Sequence, residues 1–137
     1  MIRRAREVAS RTRICATIET FEFLRRSGRV NKLQAYAATM LDIKPVFRMR
    51  NGEASPVARP RTRKRALARV VEETVTDAAG RPLRVAAIHA AAEAEAQEVL
   101  SAIAERTQVV ESLVVPVTPV IGAHTGPGLV GTAFFAD

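Results

Sequence analysis

The stretch VIGAHTGPGLVG, residues 120–131, sets a single histidine among glycines at the end of an apolar run. Gly122, Gly126 and Gly128 allow close backbone approach, and Pro127 stiffens the turn. His124 and Thr125 add an imidazole and a hydroxyl beside backbone N–H groups. Such a nest suits a carboxylate or phosphate, because an anion needs convergent donors without side-chain crowding. A lone loop histidine is more often structural, but the clustered glycines favour contact with an anionic or polar head group.

Two other places carry enough charge to do chemistry. The run RPRTRKR (59–65) contains Arg59, Arg61, Arg63, Lys64 and Arg65 at what reads as a helix start. Cations there oppose the helix dipole, which an anionic partner surface would offset; the bland reading is a solvated helix start. In RRSGRVN (25–31), Gly28 permits a left-handed cap that sets Arg29 on an exposed corner. No metal centre is expected: His89 and His124 are the only histidines, and Cys15 is the only cysteine. No cofactor is implied, and no G-x-S-x-G or Cys-His signature supplies a nucleophile with its base.

The elements that must position these residues alternate in type. A ragged helix is expected over 2–12 and a short strand over 13–19 with Ile14, Ala16 and Ile18 on one face. Thr20 caps FEFLRRS; Asn31 caps KLQAYAATML (32–41), where Leu33, Ala37, Met40 and Leu41 share a side. Asn51-Gly52 between two extended arms (44–59) is the dipeptide of a type I′ hairpin, and Pro56 marks the second arm as an edge or bulged strand. Thr62 caps a helix over 63–79 that Gly80-Arg81-Pro82 ends. Strands at 83–89, 109–117 and 128–136 surround a helix at 91–105. The expected fold is one α/β domain over 1–137 with a mixed or largely antiparallel sheet and packed helices.

Composition sets the outer limits. A chain of 137 residues with 47% hydrophobic and 26% charged residues can bury a core. No apolar run reaches the roughly 20 residues that span a bilayer. With one cysteine and no apolar stretch behind the basic N-terminus, a cytoplasmic location is expected. The net charge of +7 invites a nucleic-acid reading. One Tyr, no Trp and no interleaving of aromatics with basics argue against it.

FEFLRRSGRVNKLQAYAATMLDIKPVFRMRNGEASPVARPRTRKRAL, followed by PVIGAHTGPGLVG, resembles the C-terminal half of the DegV family of bacterial fatty-acid-binding proteins. The likeness runs from about residue 18 to the end. It implies a non-enzymatic carrier that holds one long-chain fatty acid in an apolar tunnel, which Ala35, Ala37 and Ala38 around Met40 and Leu41 could line, and that in some members presents the acid to a fatty acid kinase. His124 matches the family's carboxylate-binding histidine, with Thr125 and Gly126 beside it. Arg29 is implied at the head group, and Arg61 and Arg63 at the kinase. The resemblance also implies that the N-terminal DegV domain is missing, leaving part of the tunnel wall exposed. The alternative is a basic nucleic-acid-binding or regulatory domain without a lipid.

Overall fold

The computed structural model describes residues 1–28 and 43–137. The helix predicted over 32–41, and with it Leu33, Ala35, Ala37, Ala38, Met40 and Leu41, lies outside the described residues.

Helix α1 (Ile2–Arg11) leads into strand β1 (Arg13–Thr17) and the short helix α2 (Glu22–Arg26). The hairpin β2 (Val46–Arg50) and β3 (Glu53–Ala58) precedes α3 (Arg63–Ala78). Then come β4 (Leu83–His89), α4 (Glu93–Ala104), β5 (Val109–Pro116), α5 (Pro119–Thr125) and β6 (Val130–Ala136). The six strands form one sheet in the order β3-β2-β1-β6-β4-β5. Only β4 and β5 run parallel, joined by the crossover helix α4; the other pairs are antiparallel.

Local chemistry places the boundaries. Asn51 and Gly52 both take positive φ, as a type I′ turn requires. Pro56 lies on β3, an edge strand, so its missing N–H leaves no central ladder bond unmade. The Thr62 hydroxyl accepts from the Arg65 N–H at 3.2 Å and caps α3, which Ala79 and Gly80 end in left-handed backbone. The Thr20 hydroxyl accepts from the Glu22 N–H at 3.2 Å before α2.

Helices α3 and α4 cover one sheet face. Ala66, Val70, Val71, Val99, Leu100 and Ile103 pack there on Cys15, Val46, Val85, Ala87, Val130 and Phe134. On this face the Thr74 hydroxyl donates to the Val70 carbonyl at 2.9 Å. Its single proton is thereby used, so in the 2.7 Å contact between Thr74 and Thr132 the Thr132 hydroxyl donates. A smaller cluster of Ala16, Ile18, Leu24, Phe47 and Leu129 forms on the other face, with Phe21 and Met49 against it.

Cys15 is 1% exposed beneath α3. Burial, reinforced by the nearby Glu73 carboxylate, pushes its thiol up from about 9 to about 12. The folded state therefore holds the proton more tightly than the unfolded state. Stability is unaffected below about pH 9 and is lost as pH rises toward 12. By pH 10.5 the loss should reach about 2 kcal/mol, at about 1.4 kcal/mol per pH unit. Urea unfolding of the wild type and Cys15→Ala at pH 8 and 10.5 checks this: the alkaline loss should be smaller in the variant by that amount. Equal losses would refute the linkage.

Candidate functional site

The C-terminal ends of β1, β4 and β5, the start of β6 and the N-termini of α3 and α4 meet at one end of the sheet. The 120–131 stretch lies there, although not as the open loop the glycines suggested. Residues Pro119–Thr125 form α5, with Pro119 at its first turn and the Thr118 hydroxyl accepting from Ile121 N–H at 3.5 Å. His124 therefore sits on the last turn of a helix.

The turn that follows is held by the chain itself. Gly126 (φ 78°, ψ 171°) donates to the Gly122 carbonyl at 2.8 Å, and Gly128 (φ 93°) donates to the Ala90 carbonyl at 2.8 Å. These two N–H groups are committed internally, which narrows the expected nest. The glycines also answer a packing demand. A Cβ on Gly126 would lie 2.3 Å from the Phe23 ring, and one on Gly128 would lie 3.0 Å from the Glu19 side chain. Gly122 has nothing within 4 Å of where its Cβ would be.

His124 is the exception to this self-sufficiency. Its Nδ1 is shielded from solvent and has no hydrogen-bond partner among the described residues. An unpartnered buried ring nitrogen costs about 1–3 kcal/mol unless something meets it. The Thr125 hydroxyl donates to the Ile121 carbonyl at 3.0 Å, leaving its oxygen lone pairs available. His89 behaves differently: it is 7% exposed, and its Nδ1 accepts from the Ala92 N–H at 3.3 Å. That bond makes its neutral form an Nε2–H tautomer with a structural role at the start of α4.

Beside the turn lies an ion network absent from the sequence-based expectation. Glu19 accepts from the Lys44 ammonium at 2.5 Å through one oxygen and faces the Arg63 guanidinium at 3.4 Å through the other. Arg63 also grips Glu95 with two parallel bonds of 2.8 and 3.1 Å, tying the starts of α3 and α4 together. Its side chain is only 21% exposed, and its third nitrogen is buried without a hydrogen bond. The basic run is therefore not uniformly exposed: Arg59, Arg61, Lys64 and Arg65 face outward while Arg63 turns in. Helical spacing explains the split, since residue 63 shares the inward stripe of Ala66 and Val70. Arg29 lies outside the described residues.

Apolar side chains complete the surroundings. Ile18, Leu24, Phe47 and Leu129 form the second-face cluster beneath this end of the sheet. On α5, Val120 and Ile121 are 69% and 47% exposed. A separate depression of about 230 Å³, lined by Arg84, Ala86, Leu113 and Phe135 among others, opens toward the other end of the strands and away from His124. No helix among the described residues is long and apolar enough to cross a membrane, and none of their His, Cys, Asp and Glu side chains cluster as a metal site would require.

Comparison with known proteins finds relatives in both sequence and fold. The family model described as "Uncharacterised protein, DegV family" matches residues 1–137. A fatty acid-binding protein of Thermotoga maritima is 34% identical over 115 residues, covering 83% of this chain and 40% of the relative. Protein DegV of Bacillus subtilis is 32% identical over 132 residues, covering 96% of this chain and 47% of the relative. Among solved structures, a DegV family protein from Thermus thermophilus described for its fatty acid binding superposes with a TM-score of 0.88 at 27% identity, over 99% of this chain and 49% of that one. DegV from Bacillus subtilis, described as a fatty acid binding protein, gives 0.79 at 31% identity, over 99% and 49%. The chain thus spans about half the length of the relatives it matches.

Proposed function

This chain belongs to the DegV family, and on that premise we propose that it binds the carboxylate of a long-chain fatty acid at the end of α5, as a carrier with no catalysis of its own. The Nδ1 of His124, buried and without a hydrogen-bond partner among the described residues, carries the reading. In its Nδ1–H form it donates to a carboxylate oxygen, and the protonated ring strengthens that bond with charge. Thr125 and the Gly126 turn shape the head-group side, and Arg29 supplies a further cation. The acyl tail runs along the sheet face that carries the cluster of Ile18, Leu24, Phe47 and Leu129. The remaining carboxylate donors come from the N-terminal domain that longer relatives carry.

His124→Ala tests the assignment. With the chain joined to the N-terminal half of a relative, the variant should retain about tenfold less fatty acid or lower still. That corresponds to one charge-assisted hydrogen bond of about 1.5–3 kcal/mol, with folding little changed. Unaltered lipid content by mass spectrometry of extracts would remove His124 from the site.

The same reading places a fatty acid kinase on the exposed cations at the start of α3. Arg61 is the docking residue; Arg63, held by Glu95 and Glu19, contributes by fixing the helix starts and reaches the partner only through them. Arg61→Glu should weaken kinase association in a salt-dependent manner and leave bound lipid in place. Lost lipid with intact association would reverse these roles.

A further inference from the structure

Helix α1 buries none of its residues, so core packing does not account for its composition. Residues 1–13 hold five arginines against one glutamate, which is +4 of the chain's +7. Arg3, Arg4 and Arg6 are exposed and have no ion pair among the described residues. A charged run of this kind is ordinarily just a solvated face; what lies beside it gives this one a further use.

Where α1 passes into β1 the arginines continue. Arg11, Arg13 and Arg81 line a hollow of about 100 Å³ at the start of β1 and the end of β6. Their hydrogen bonds go to backbone carbonyls: Arg11 donates to Ala136, Arg13 to Ser10 at 3.2 Å and Arg81 to Ala78 at 3.1 Å. A carbonyl accepts the bond without cancelling the charge. Glu7 comes no nearer to Arg11 than 3.7 Å, and Asp77 is the one carboxylate that lines the hollow. Phe134 and Phe135 line this hollow and also the apolar depression of about 230 Å³ beside it, which Thr12 and the 57% exposed Leu113 help to form. The depression's own charges, Arg84 and Glu111, are paired with each other at 2.6 Å. Unneutralised cations therefore border an open apolar surface.

We infer that this end of the sheet docks on an anionic lipid bilayer, with the arginines of α1 among the head groups and the depression at Leu113 and Phe135 against the acyl boundary. A bilayer interface offers negative charge and apolar matter in one plane, which is the pairing found here. A nucleic acid would satisfy the arginines alone, and the chain's one Tyr and no Trp give its bases little to stack on. The second group of exposed cations, around Arg61, is set apart by the length of α3, 16 residues or about 24 Å. Docking through α1 thus leaves Arg61 and His124 at the far end of the sheet, and it does not depend on the role given to either.

Flotation with vesicles tests the inference. The 137-residue chain should float with vesicles of equal parts phosphatidylcholine and phosphatidylglycerol and stay behind with phosphatidylcholine alone. Salt at about 1 M, where the Debye length is about 3 Å, should release most of it. Each arginine near such a surface contributes about fivefold in affinity, so Arg3→Gln, Arg4→Gln and Arg6→Gln together should weaken binding about a hundredfold. The urea midpoint should not move, because α1 buries no residue and Gln forms helix about as well as Arg. Leu113→Ser should weaken binding severalfold at either salt concentration, and His124→Ala should leave it unchanged, so that this inference and the fatty-acid site fail separately. No flotation with phosphatidylglycerol at low salt would overturn the inference. So would equal flotation with neutral vesicles, or binding that survives the triple variant and is lost with Arg61→Glu. A shift of duplex DNA that the triple variant abolishes, without vesicle binding, would assign these arginines to nucleic acid instead.

Discussion

Gly131→Ala is expected to lower the stability of the fold by about 3 kcal/mol or more, a large fraction of what holds a domain of this size together. Gly131 lies directly opposite Ala16 where β6 pairs with β1. Opposed residues ordinarily keep Cβ atoms about 4.5–5.5 Å apart. Here a Cβ on Gly131 would stand 2.5 Å from Ala16 Cβ and 2.6 Å from the Cys15 carbonyl oxygen. Two of the three nearest atoms are backbone, so no rotamer change relieves the clash and the central strands must separate. That separation would disturb both faces at once, because Cys15 belongs to the helix-covered core and Ala16 to the second cluster. A urea midpoint within error of the wild type would show that the two strands accommodate the methyl, contrary to this packing argument.

Gly126→Ala should cost about as much, for a different reason. With φ 78° and ψ 171° the residue occupies a backbone region that is essentially glycine's alone, and holding another residue there costs on the order of 1–3 kcal/mol. The Phe23 ring, 2.3 Å from the new Cβ, must also move, which brings the expected loss to about 3 kcal/mol. Because Gly126 ends α5, relief of the strain would reorient the last helical turn and His124 with it, so lipid retention should fall along with stability. Gly122→Ala is the internal control. It sits within α5 with no neighbour near its Cβ, so helix propensity should leave it neutral or more stable by about 0.5–1 kcal/mol. Chemical denaturation of both variants decides the point: similar effects at the two glycines would mean that neither backbone conformation nor the Phe23 contact governs the turn.

Much of the element order was legible because it rests on local chemistry. Asn51-Gly52 demanded a primed turn, Thr62 a cap and Gly80 a helix end, whatever lay around them. The period-2 pattern of Leu83, Val85, Ala87 and His89, all buried on one face, likewise needs only the pleat of a strand. The sequence motifs around His124 and the Arg61 helix start also sufficed for the family. Pro119–Thr125 was less legible, since Gly122, His124 and Thr125 masked a helix defined by Thr118 and Pro119 at its start.

Tertiary structure alone decided the rest, because it depends on what distant segments bring together. Glu19, Lys44, Arg63 and Glu95 form one network although they are far apart in the chain, and no local pattern sets those pairings. Arg63 had a local hint in its spacing from Ala66 and Val70, but its inward turn is stabilised only by carboxylates supplied from β1's end and from α4. The glycines of the turn showed the same division: their number suggested room for a ligand, whereas Phe23 and Glu19 account for two of them. What sequence did determine was the type of group offered, an imidazole beside a hydroxyl on a tight turn. Only the fold could leave the His124 nitrogen buried and unpartnered, since a side chain's need for a partner is fixed by every neighbour that fails to reach it.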